Sequence, residues 1–304
     1  MKRVVMLLAL ITVAALAVAQ TAGTQPKPPA QSGTQKAAPG QQPAAPAPPP
    51  PPIPGTKRPP EAKSAEELKA FQEVYARKAG PDLESGAGDF SKKYPDSQLT
   101  VLVYRSAMYA YEAANNADKL IEMGRKMIAL DPNNPEALLG TGSTLAEKTR
   151  ETDLDRDERL AEATRYLEKA LQTVDSDLML PATMAIEQAT AIRNQMRGQI
   201  YSGLGQVDMG KKNYASAEKN FKQASELAGG DSRVWLRLAF VMDKQGKYKE
   251  AITPANNCIQ RSSDEPVVNG LCKQELQRLN QLTATAPARP AAPTTPQPQT
   301  SVPK

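Results

Sequence analysis

Shifted by 34 residues (235 − 201), one stretch of this chain falls on another. Tyr201, Leu204, Tyr214, Ala217, Phe221 and Ala224 recur as Trp235, Leu238, Tyr248, Ala251, Ala255 and Cys258. A helix pair that repeats at this length cannot cover its own apolar side. It has to stack on further copies, and such stacks offer extended surfaces rather than catalytic pockets.

The ends of the chain read differently from its middle. Lys2 and Arg3 precede an apolar run from Val4 to Val18, then Ala17-Val18-Ala19 and polar Gln20. That is the order of a secretory signal, with cleavage expected between Ala19 and Gln20. The run is shorter than the ~20 residues a spanning helix needs, so no stable membrane span is expected after cleavage; an uncleaved anchor is the alternative. The chain is therefore expected to be exported, to the periplasm or beyond. More than half of the 27 prolines crowd between Pro26 and Pro60, and a second group lies between Pro287 and Pro303. With little apolar mass around them, residues 20–60 and 283–304 read as disordered Pro/Ala-rich segments, leaving 61–282 as the folded unit.

Within that unit helical signals recur. Ser64-Ala-Glu-Glu67 has the form of a capping box, followed by Leu68, Phe71, Val74 and Tyr75 on one face; Gly80-Pro81 ends this helix and opens a second, up to Lys93. A unit at 101–134 sets Tyr104, Ala107, Met108 and Tyr111 against Leu120, Ile121, Met127 and Ile128. The unit at 135–177 is lengthened by a charged stretch, Glu147 to Glu158, expected to loop out. Pro181 to Arg197 is expected to prolong the first helix of the 198–231 unit, with Pro181 at its start. A unit at 232–265 carries Pro254 in its second helix, and 266–282 reads as a capping helix on Val267, Leu271, Leu276 and Leu279.

Tyr104, Tyr111 and Pro132, and above all Tyr201, Leu204-Gly205, Ala217, Phe221 and Ala224, resemble the tetratricopeptide repeat pattern W-x2-L-G-x2-Y…A-x3-F…P. The pattern is broken at Asp208, where an aromatic or alanine is usual. The resemblance implies an all-α chain, a right-handed α-α superhelix with Pro-rich tails. It also implies a ligand in the concave groove lined by the first helix of each repeat. Carried over by register, those positions are Arg105, Tyr109, Glu112, Leu139, Ser143, Ser202, Gln206, Arg233, Leu236, Phe240, Asp243 and Lys244. Chaperone adaptors of similar fold hold a terminal carboxylate with a Lys/Asn cluster, which Arg105, Tyr109, Leu139, Ser143, Ser202 and Gln206 do not rebuild.

Chemistry of other kinds is poorly supplied. The chain has no histidine, which removes the commonest general base, the usual nucleophile arrangements and most transition-metal sites. Asp153, Asp155 and Asp157 alternate like the start of a calcium loop, but Glu158 stands where its glycine is needed. No cofactor and no metal are expected. The formal charge of +5 forms no basic stripe, so no nucleic acid is expected either. Cys258 and Cys272, an even number in an oxidising compartment, fall on neighbouring helices and are either a structural disulfide or two core thiols.

The expected function is a non-catalytic scaffold or adaptor in the cell envelope that grips a partner peptide or helix. Phe90-Ser-Lys-Lys-Tyr94-Pro-Asp-Ser97 is similar to a turn in repeat proteins of outer-membrane assembly. This keeps open an alternative within outer-membrane protein assembly, secretion or pilus machinery. A peptidoglycan- or glycan-associated module or enzyme is the second alternative.

Overall fold

The structure, a computed structural model, describes residues 56–181 and 183–285. The signal segment with its Ala19–Gln20 junction, residues 20–55 and the tail from 286 lie outside that range. Among the described residues there are eleven α-helices and no strand: α1 (Ala65–Tyr75), α2 (Pro81–Lys93), α3 (Thr100–Ala113), α4 (Ala117–Leu130), α5 (Pro135–Lys148), α6 (Arg156–Thr173), α7 (Ile186–Gly210), α8 (Tyr214–Leu227), α9 (Ser232–Lys244), α10 (Tyr248–Arg261) and α11 (Pro266–Thr285). The class is all-α, in tetratricopeptide-like helical hairpins.

The hairpin turns show the repeat in the backbone itself. Asn115, Lys212 and Gly246 occupy the same place in their repeats, and all three have positive φ, at 55°, 59° and 72°. The following amides, of Asn116, Asn213 and Lys247, donate to the carbonyls of Tyr111, Asp208 and Met242 at 2.9, 2.8 and 3.0 Å. This is a Schellman closure, which satisfies carbonyls the helix end leaves open. In the 135 unit the same place falls at Thr149, where the chain departs into the loop 149–155. The insertion is thus confined to the turn; Glu147, Lys148 and Arg156 to Glu158 are helical.

Helix starts follow local chemistry. Ser64 Oγ accepts from the Glu67 amide at 3.1 Å, while the Glu67 carboxylate receives the Lys63 amide. Asn134 Oδ1 caps α5 through the Ala137 amide at 3.0 Å. Pro181, expected to open a helix, does not: α7 starts at Ile186, and the stretch before it buries Leu178, Met179 and Leu180. There Lys57, placed by composition in the disordered segment, donates its amide to the Leu178 carbonyl at 3.2 Å and its ammonium to Asp131 at 2.8 Å. At the other end α11 runs to Thr285, past the expected boundary at 282.

The chain forms two compact units, one comprising residues up to Thr141 with Gln172–Arg193, the other Gly142–Leu171 with residues from Asn194 on. In the first, α1 to α4 and the start of α5 enclose Phe71, Phe90, Val103, Met108, Met123 and Met127. Phe71 meets Phe90 edge-on at 6.3 Å. Tyr94 ends α2 and lies against the same cluster, its ring 5.1 Å from Phe90. In the second unit Phe221 is fully buried among Ala217, Leu238, Ala239, Met242, Ala251, Ala255 and Leu279. Close approach here depends on missing atoms: a Cβ on Gly205 would stand 2.8 Å from the Phe221 ring. Asp208, where the family pattern expects an apolar residue, accepts from Asn220 Nδ2 at 2.8 Å, so α7 and α8 are joined there by a polar pair. Cys258 and Cys272 form a disulfide between α10 and α11, with Cα atoms 5.9 Å apart. The capping helix turns Cys272 and Leu279 inward, whereas Val267 and Leu271, expected on its core face, are exposed. Its apolar residues fall on two stripes, and only one of them packs.

Candidate functional site

In the first unit the register positions sit on α3 and the start of α5. Glu136 faces one edge of the Arg105 guanidinium: Nη2 donates to Oε1 at 2.8 Å, and Nε lies 2.6 Å from Oε2 in a close ion pair. The side chains are 14 % and 3 % exposed. Burial works against the Arg105 charge, but the Glu136 carboxylate outweighs it and holds the proton more firmly than usual. The guanidinium also lies over the Tyr109 ring at 5.5 Å. Burial pushes the Tyr109 phenol up, and its hydroxyl has no hydrogen-bond partner. Glu112, one turn further on, is half-buried, and desolvation raises its pKa. Leu139 is buried and belongs to the packing rather than to an open groove.

In the second unit the positions lie on α5, α7 and α9. Ser202 and Asp243 are buried, which corrects their expected place on an open surface. Asp243 is bound by Arg278 of α11; it fastens the cap. Ser143, Gln206, Arg233, Leu236 and Phe240 are half-buried, and Lys244 is exposed. Arg233 pairs with Glu265 at 3.2 Å. Lys244 stands over the Phe240 ring at 4.9 Å, an exposed cation–π contact of about 0.5–1 kcal/mol. Gln206 Oε1 is buried without a hydrogen-bond partner.

Three participants were not singled out by register: Glu136, Arg278 and Arg237. The last donates from Nη1 to Ser202 Oγ at 3.4 Å. Arg233 and Arg237 are one helical turn apart on α9, which is the signal in the sequence that points to them. Elsewhere in this unit Glu218 gathers Lys222 (2.6 Å), Lys247 (2.6 Å) and Gln245 (2.8 Å). Burial would raise its pKa, but these donors prevail and bring it down to about 2. Trp235 gives its indole N–H to the Gly229 carbonyl at 2.8 Å and carries Arg261 on its face at 4.9 Å.

Among the described residues no cluster of three or more His, Cys, Asp or Glu side chains is placed to hold a metal. Asp153 of the alternating triplet instead accepts from the Arg150 amide at 2.8 Å. No helix among them is long and apolar enough to cross a membrane.

The family model described as Tetratricopeptide repeat matches residues 208–253, from the end of α7 into α10. No curated protein matches the chain significantly. Among solved structures it is similar to pilF of Pseudomonas aeruginosa, at 17 % identity over 73 % of this chain and 93 % of that one, TM-score 0.46. It is similar to a thermophilic TPR protein of Thermus thermophilus, at 15 % identity over 70 % and 98 %, TM-score 0.41. YrrB, described as a TPR protein with an unusual peptide-binding site, shares 17 % identity over 65 % and 90 %, TM-score 0.40.

Proposed function

We propose that this chain is an exported, non-catalytic scaffold or adaptor that binds an envelope protein along the first helices of its repeats. One observation carries the reading: in each unit taken by itself the first helices hold half-buried side chains of mixed character, Tyr109 on α3 in the first, and Gln206, Leu236 and Phe240 on α7 and α9 in the second. Tetratricopeptide repeat proteins generally mediate protein–protein interactions and are generally non-catalytic, and the matched segment 208–253 includes α8 and α9. Export is supported by the residues from Lys2 to Gln20 and agrees with a disulfide between α10 and α11. A photoreactive residue in place of Tyr109 or Phe240, in the full chain and in cells, is expected to crosslink to one discrete envelope protein. Crosslinking to no protein at either position removes the reading, and a mass that begins at Met1 removes cleavage after Ala19.

A more specific version places the chain in outer-membrane protein assembly. It is favoured by the Phe90–Ser97 turn, in which the Tyr94 amide closes α2 on the Phe90 carbonyl at 2.8 Å. Depletion of the protein with unchanged levels of outer-membrane proteins would eliminate this version and leave secretion or pilus partners.

A further inference from the structure

Lys57 and Lys63 pin the two ends of a short stretch of the first unit that belongs to no helix. Lys57 pairs in parallel with Met179. Its amide donates to the Leu178 carbonyl at 3.2 Å, and its ammonium reaches Asp131 at 2.8 Å. Lys63 gives its amide to the Glu67 carboxylate and its ammonium to the Asp96 carbonyl at 2.7 Å. Between them Arg58, Pro59 and Glu61 are exposed, while Pro60 and Ala62 are half-buried, Ala62 against the core of the unit. The two ends are not equally firm. Lys63 adjoins the capping box that starts α1, whereas the ion pair of Lys57 has a lysine 42 % exposed, a kind of contact that salt weakens. Nor does the pairing spread from Lys57. In a parallel ladder alternate residues of a strand donate to the same neighbour, and the next donor would be Pro59, which has no N–H. The two prolines also keep Arg58 and Pro59 extended, so the stretch is stiff whether or not its Lys57 end is attached.

We propose that Thr56–Pro60 is a releasable strap, latched by Lys57 on Asp131 and the Leu178 carbonyl and hinged at Ala62 and Lys63, which sets where the preceding chain leaves the first unit. Latched, that chain departs beside Met179 and the turn between α4 and α5. Released, it departs from Lys63, where Asp96 and the start of α1 hold it. The stretch from Arg58 to Ala62 then adds roughly 15 Å of reach at ~3.1 Å per residue. The strap thus alters the length of the tether without unfolding a repeat. It goes beyond the scaffold reading, which stands whether or not the strap opens.

Trypsin reads the latch directly. The Lys57–Arg58 bond follows the latched lysine, and Pro59 shields the bond after Arg58. Cleavage requires Lys57 to be free of Asp131, so its rate follows the open fraction. In the full chain this bond is expected to be cut roughly 10-fold more slowly than in a synthetic peptide of residues 52–63. Raising NaCl from about 0.05 M to about 0.5 M should speed the full chain about 2-fold relative to the peptide. Asp131→Asn should speed it about 3–5-fold, abolish the salt response and leave the urea midpoint unchanged. Cleavage as fast as in the peptide would show that no latch exists. Protection that neither salt nor Asp131→Asn reduces would make the stretch a fixed part of the fold. Either result overturns the strap, and should Asp131→Asn fail to fold, the salt series on the wild type decides alone.

Discussion

Arg105 and Arg237 each stand on the first helix of a repeat and are each partly withdrawn from water, yet their surroundings differ. In the first unit Glu136, from the next hairpin, meets Arg105 edge to edge at 2.6 and 2.8 Å. In the second, Arg237 has a serine hydroxyl at 3.4 Å. The first arginine is consumed by cohesion between α3 and α5; the second has its bonding capacity left over. The same residue type on the first helix of a repeat is closely paired in one unit and only loosely bonded in the other, and the side chain that the neighbouring helix presents decides which.

The comparison breaks first at Glu136. Glu136→Leu strands a buried guanidinium, and the expected loss is about 3–5 kcal/mol, read from the urea midpoint with an unchanged slope. Arg237→Met is expected to stay within ~0.5 kcal/mol of the wild type. Equal losses would mean that the two arginines have the same structural role. Loose packing around α9 would be a trivial reason for the freedom of Arg237, and Ala217→Leu tests it. Ala217 is fully buried beside Phe221, so overpacking should cost ~1–3 kcal/mol in thermal unfolding; a neutral result would show a slack core.

Glu218 sharpens the contrast within the second unit, because its charge is met by three donors. Its folded pKa, about 2, lies below the ordinary glutamate value of 4.5. A depressed carboxyl stabilises the fold above the unfolded value, and this contribution is lost as the pH falls from there through about 2. Urea midpoints of the wild type should therefore drop across that window. Those of Glu218→Gln should begin lower at neutral pH, by about 1–2 kcal/mol, and change less. The smallest effect is a gain. Lys212 holds φ at 59°, a conformation that costs an L-residue roughly 1–2 kcal/mol. Glycine gives part of this back in chain entropy and gives up the exposed ion pair of Lys212 with Glu151, so Lys212→Gly should raise stability by no more than about 0.5 kcal/mol. No gain in the unfolding midpoint would show that the strain is already relieved locally.

Most helices were legible because their causes are local. Apolar spacing, the Ser64 capping box and Gly80-Pro81 each act within a few residues. The 34-residue period then located the insertion within one turn of its true place. Pro181 misled, since a proline at a helix start and a proline in a buried extended stretch obey the same backbone restriction. Val267 and Leu271 misled because α11 offers two apolar stripes and the choice between them lies in what α10 presents. The site was less legible for a related reason. Register places Arg105, Asp243 and Arg233 on a surface, but only a neighbouring helix shows that Glu136, Arg278 and Glu265 are there to meet them. Arg237 escaped because what sets it apart is the lack of such a neighbour, and no periodicity records that.

The excursion at Thr149 to Asp155 sits where the other hairpins reverse direction, so it adds length between two helices rather than within one, and it is tied to the next hairpin turn through Glu151 and Lys212. Ring-closure entropy rises by only ~0.6 kcal/mol for each doubling of such a segment. A fluorescent domain or an affinity handle spliced there would report on the protein in its native setting while leaving Arg237 and the α9 face as they are.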